Sequence, residues 1–127
     1  MGLKTKFVVL LSKYRALLPC IVAQAKHETG NFTSNVYLKD NNMFGMKLPE
    51  KRPTVATQGM KSPEGNYYAH YTSDAESLRD LFLWMDYVSF PVTVSGPDEY
   101  ASRLKDKSYY GASLASYQSA LKNWLKV

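Results

Sequence analysis

The segment from about Pro19 to Gly30 constrains the fold most, because it carries a helical apolar stripe that ends on a carboxylate. Proline is favoured in a first helical turn, where its missing N–H would have no partner anyway, and glycine readily adopts the left-handed conformation that closes a helix. Between them Ile21, Gln24, Ala25 and Glu28 fall at i, i+3, i+4 and i+7. Glu28 therefore continues the stripe that Leu18, Ile21, Val22 and Ala25 present to a core. A carboxyl in that position is poorly solvated. Desolvation disfavours its ionised form and raises its pKa, as needed for an acid that holds a proton near neutrality and donates it to a leaving oxygen. The structural alternative is a Glu in the last turn whose side chain bends out to water.

The remaining pattern is helical around one small hairpin. Residues 1–15 read as a first amphipathic helix. Residues 31–40 read as a loop, and 41–47 as a tight segment in which Gly45 permits close backbone approach. Residues 53–60 and 66–71 alternate enough for two short strands, joined by a turn at Lys61-Ser62-Pro63-Glu64-Gly65. Ser73 and Glu76 have capping-box spacing ahead of a stripe of Leu78, Leu81, Phe82, Met85 and Val88, running to about Ser89. Pro97 opens another helix through Tyr100 and Leu104, and Leu114, Tyr117, Leu121, Trp124 and Leu125 line the last. The expected architecture is α+β and predominantly α, with a helical main lobe, a minor β-lobe and a cleft with Glu28 at its wall.

The string Ala23-Gln24-Ala25-Lys26-His27-Glu28-Thr29-Gly30, followed by Asn41-Asn42-Met43-Phe44-Gly45-Met46-Lys47, resembles the two signature blocks of the bacterial glucosaminidases, glycoside hydrolase family 73. The likeness continues through residues 71–80 and more weakly through Tyr110-Gly111-Ala112-Ser113-Leu114, covering roughly residues 17 to 125. It implies a lysozyme-like fold and cleavage of the β-1,4 bond after N-acetylglucosamine in peptidoglycan. Glu28 would be the general acid. Asn42, Phe44 and Lys47 would line the substrate channel by analogy, although Phe44 fits a core position between the lobes equally well. Tyr110 resembles a late active-site tyrosine of the family, with Tyr109 one register away and nearly as good a match.

Glycosidases of this kind commonly employ a second group that activates water or supports charge at the sugar carbon. Relatives often carry a Glu in the hairpin, and Glu64 in the turn is the first candidate here, with Glu50 and Asp40 near it in sequence. The closer match to the family position falls near Thr57-Gln58, and Gln58 cannot act as a base. Assistance from the substrate's own 2-acetamido group would need no second carboxylate. On the returning strand, alternation sends Tyr67 and Tyr71 to one face and Tyr68 to the other. One face is expected to touch glycan, with Tyr71 as the substrate-binding candidate.

Length suits one domain spanning residues 1–127, large enough for a core and too small for two. Sixteen Lys and Arg against eleven Asp and Glu give +5, which favours anionic polymers such as a cell wall. The basic residues are scattered, so nucleic acid is not an expected partner. Cys20 is the only cysteine, which rules out an internal disulfide and suits a small buried thiol. His27 and His70 make no metal site, and His27 should diverge from Glu28 by about 100° around the helix. No cofactor is implied by proton transfer between carboxyl and sugar, and a monomer is the default.

The apolar run from Phe7 to Leu11 is too short for a signal peptide's hydrophobic region, and no stretch reads as a transmembrane span. A wall substrate would then be reached by phage delivery, by release at lysis, or with a signal that this sequence lacks. Three functions are compatible with these residues: a peptidoglycan endo-β-N-acetylglucosaminidase, a lytic transglycosylase that ends in intramolecular attack, and a non-catalytic wall-binding or virion component.

Overall fold

The computed structural model describes residues 3–126, with side chains from residue 7 onward. Six helices and one hairpin follow in the order α1 (Leu3–Tyr14), α2 (Leu18–Thr29), α3 (Asn35–Asp40), β1 (Thr57–Lys61), β2 (Tyr67–His70), α4 (Asp74–Tyr87), α5 (Pro97–Asp106) and α6 (Leu114–Leu125), with a single 3₁₀ turn, Arg15–Leu17, between α1 and α2. The fold is predominantly helical with one small antiparallel sheet, consistent with an α+β, lysozyme-like arrangement.

Helix α2 begins with proline in its first turn and ends on Gly30 at φ 57°, whose N–H returns to the Lys26 carbonyl. Ile21, Gln24 and Ala25 are buried as the periodicity predicts, but Val22 is 49 % exposed and lies off the stripe. Tyr14, Leu17 and Ile21 join Leu81, Phe82 and Met85 of α4 and Tyr100, Leu104 and Leu121 of α5 and α6 in one continuous core. Cys20 is buried there as a small apolar side chain, its thiol pKa raised by desolvation.

The helical run Phe7–Thr29 is long and apolar enough to cross a membrane by length and composition alone, correcting the expectation that no stretch approaches a span. Its apolar character draws on Val8, Val9 and Val22, which are exposed, as well as on Leu10, Leu17 and Ile21, which help build the core.

Residues 35–40, expected as loop, form α3. The Ser34 hydroxyl accepts from the Tyr37 N–H at 3.2 Å, and Asn41 ends the helix at φ 51°. This is an N-cap followed by a left-handed Asn, the two terminators of a short helix. The first strand starts later than expected, because residues 52–54 are held on α4 and leave the sheet. Arg52 places two N–H groups on Asp80, at 2.8 and 2.9 Å, and the Thr54 hydroxyl adds a third bond at 2.7 Å. At α4 only half of the capping box forms: Ser73 accepts from the Glu76 N–H, while the Glu76 carboxylate turns to Arg79.

Candidate active site

Glu28 sits in the last turn of α2, half-buried, and its Oε1 accepts from the Tyr117 hydroxyl of α6 at 2.8 Å. Tyr117 is 2 % exposed and enclosed on both sides. Its ring stacks on Tyr110 at 3.9 Å and meets His27 edge-on at 5.0 Å, so neighbours that diverge around α2 both end on the same tyrosine. Desolvation raises the Glu28 carboxyl pKa above the usual carboxylate range, and the Tyr117 hydrogen bond pulls it back by a smaller amount. The other oxygen, Oε2, faces Gly45, where a Cβ would stand only 3.4 Å away. Gly45 has φ +64°, a conformation that side-chain-bearing residues rarely adopt, and it lets the backbone pass beside this oxygen.

That backbone is held by Asn42. Its Nδ2 donates to the Met46 and Ala69 carbonyls, both at 2.9 Å, while Oδ1 accepts from the Phe44 and Met46 N–H groups at 3.3 and 3.1 Å. Both amide hydrogens and both lone-pair directions are thereby used. Asn42 lines the smaller arm, and its own hydrogen bonds are all made within the protein, where they hold the loop. Beyond it Lys47 bridges to Tyr68, which lays the loop along the hairpin edge.

Two hollows meet at the acid. The larger, about 470 Å³, is walled by Met46, Trp84, Tyr109 and Tyr110; the smaller, about 320 Å³, by Ser34, Val36, Asn42 and Tyr68. Glu28, Gly45 and Lys47 line both, so the carboxyl stands where the two arms join. The larger arm falls within the usual size range of small-ligand sites. Glu28 is the one carboxylate among the described residues that line these arms.

The other expected site residues are distributed differently. The Lys47 ammonium lies 4.6 Å from the centre of the Tyr68 ring and 3.5 Å from Glu64 Oε2. Glu64 itself lines neither arm and touches the cleft only through that lysine. A hydrogen bond from its own backbone, helped by Ser62 and Lys47, lowers its carboxyl pKa. Gln58 is exposed and pairs with Ala69 across the hairpin. Asp40 is buried against the hairpin, accepting from the Met60 N–H at 3.0 Å and facing His70 Nδ1 at 2.9 Å.

Tyr71, expected at the substrate, is instead 1 % exposed and bonds Asp80 through its hydroxyl. Tyr110 lines the larger arm, but its hydroxyl donates to the Ala101 carbonyl at 2.9 Å, and Tyr117 occupies the place beside the carboxyl. Tyr109 also lines this arm and donates its hydroxyl to the Phe44 carbonyl, while Phe44 is 2 % exposed and part of the core.

Sequence reasoning missed Tyr117 as the partner of Glu28, and Tyr68 and Trp84 as cleft residues. Helical spacing marks Tyr117 and Trp84 only as apolar positions, and strand alternation separates Tyr68 from Tyr71 without saying which one faces the cleft. Among the described residues no group of three His, Cys, Asp or Glu side chains is placed to hold a metal.

The family model described as "Glucosaminidase: Mannosyl-glycoprotein endo-beta-N-acetylglucosaminidase" matches residues 4–126. No curated protein and no solved structure matches the chain. The match takes in the acid on α2, the Asn42 loop, the hairpin and the tyrosine on α6, and the chain belongs to the glucosaminidase family of glycoside hydrolases.

Proposed function

We propose that the protein is a peptidoglycan endo-β-N-acetylglucosaminidase with Glu28 as general acid. The observation that carries this reading is the position of a carboxyl with a raised pKa at the junction of two cleft arms. A glycan chain lying through both arms puts its scissile oxygen beside Glu28. Transfer of the Glu28 proton to that oxygen breaks the bond to the sugar C1, and positive charge develops on the donor sugar. Tyr117 fixes one carboxyl oxygen, leaving Oε2 to face the substrate. Aromatic walls in the larger arm and Lys47 at the junction suit a sugar polymer that carries lactyl and peptide carboxylates.

The lack of a second carboxylate in either arm among the described residues favours a nucleophile supplied by the substrate. The 2-acetamido oxygen would close on C1 and then yield to water, giving a reducing N-acetylglucosamine end. Attack by a muramyl hydroxyl is the second reading, and it would give anhydro ends as in lytic transglycosylases. Purified peptidoglycan digested with the wild type and with Glu28→Gln, then analysed by mass spectrometry after reduction, separates these. Reducing N-acetylglucosamine ends that the variant fails to release are the expected result. Anhydro-muramyl ends would move the protein to the second reading, and no fragments from several wall types would overturn both.

A further inference from the structure

Beyond the larger arm lies a third hollow of about 490 Å³, which shares Leu48, Pro49, Arg52 and Trp84 with that arm and no residue with the smaller one. The three hollows are therefore connected in series, the smaller arm to the larger and the larger to the outer hollow, so the groove continues past the larger arm on one side of Glu28. Two aromatic rings of α4, Trp84 and Tyr87, stand at i and i+3 and so share a helix face along the outer hollow. Trp84 is half-buried and packs at 5.4 Å on Tyr109, which joins the outer hollow to the catalytic arm.

Tyr87 contributes nothing to the core and is 58 % exposed. The loop opposite is tied to α4, since the Arg52 guanidinium is clamped on fully buried Asp80. Its outer rim carries the polar side chains of Glu50, Lys51 and Asn66. A flat aromatic surface bordered by hydrogen-bonding groups is complementary to a pyranose ring, whose C–H bonds meet the negative π face while its hydroxyls reach the rim.

We propose that Trp84 and Tyr87 form a platform that binds further saccharide units of the same glycan chain, on one side of the scissile bond only. This rests on the glycosidase reading above, and it makes the enzyme selective for long glycan on that side. Binding tests it without turnover. Dissociation constants for β-1,4-linked N-acetylglucosamine oligomers of increasing length are measured by calorimetry on Glu28→Gln and on Glu28→Gln combined with Tyr87→Ala. Trp84→Phe, which keeps an aromatic side chain against Tyr109, serves as a second platform variant.

Affinity should rise with length; Tyr87→Ala should weaken the longest oligomers about three- to tenfold while leaving the shortest unchanged, and Trp84→Phe, at a residue that also walls the larger arm, should weaken the longest more than the shortest. Equal affinities at every length, an equal loss at every length, or no binding of any oligomer would each overturn the platform. The glycosidase reading fails by a different result: wild-type protein that binds long oligomers yet cleaves none.

Discussion

The Tyr117 hydroxyl donates to Glu28 Oε1 at 2.8 Å and ties α6 to α2 across 89 residues of sequence. The bond sets both the orientation of the acid and the balance of its pKa. Burial favours the protonated form, a hydroxyl donor favours the carboxylate, and burial is the larger effect. A carboxyl held this way remains protonated at a pH where an exposed Glu has already ionised.

Tyr117→Phe removes the donor and keeps the ring. The Glu28 pKa should rise further, moving the alkaline limb of the kcat/KM profile to higher pH, while kcat falls about tenfold through lost orientation. Tyr110→Phe loses only the bond to the Ala101 carbonyl and keeps the stacked face, so its alkaline limb should coincide with the wild type. Comparison of the two pH–rate profiles checks the assignment, and a shifted limb in Tyr110→Phe would refute it.

Glu28→Gln should lower kcat about 10²–10⁴-fold, the usual contribution of a positioned general acid. Stability should move the opposite way. A carboxyl whose folded pKa lies above its unfolded value of about 4.3 binds its proton more tightly when folded. The stability it contributes is complete below that unfolded value and is lost as pH rises through the folded value. The amide never ionises, so the variant's melting temperature should exceed the wild type's at neutral pH, and the gap should close towards pH 4. Parallel thermal melts across that range provide the check.

What the sequence made legible was whatever a local period encodes. Proline and glycine bracketed α2, the 3.6-residue stripe placed Gln24, Ala25 and Glu28 on the inner face, and the two short motifs located the acid and its facing loop. Pairings between distant segments were not legible. Tyr117 reads as one more apolar position on α6, and nothing local in its sequence announces that its hydroxyl ends on a carboxyl of another helix. Tyr71 was misplaced for the same reason: it lies on the strand pattern, but the buried Asp80 on α4 draws its hydroxyl inward. The missed helix α3 failed differently. Its signals, Ser34 and Asn41, were present in the sequence and enclose only six residues, too few for a hydrophobic period to stand out.

Asn42→Ala should act on stability rather than on substrate affinity. The variant would leave two N–H and two C=O groups of the cleft loop without their side-chain partner, two of them on Met46. The expected cost is about 3 kcal/mol, read as a lower urea midpoint with an unchanged slope. If the variant instead kept wild-type stability and lost only affinity, Asn42 would be a sugar ligand after all.

Asp80 provides the opposite pH signature to Glu28. It is fully buried, and desolvation alone would raise its pKa. Arg52, Tyr71 and Thr54 all hydrogen-bond the charged form, and together they lower it below the usual carboxylate value. Its contribution to stability is therefore present above the unfolded pKa of about 3.9 and is lost as pH falls through the folded value. Asp80→Asn should flatten the acid limb of the stability curve. Arg52→Ala, which strands the carboxylate in the core, should cost about 3–5 kcal/mol at neutral pH. Arg52→Met combined with Asp80→Leu should recover most of that loss, because the two charges then leave the interior together. Urea titrations of the three variants decide it: if Arg52→Ala cost under about 1 kcal/mol, the pair would be no more than a surface ion pair, and the cleft floor at Leu48 and Pro49 would need another anchor.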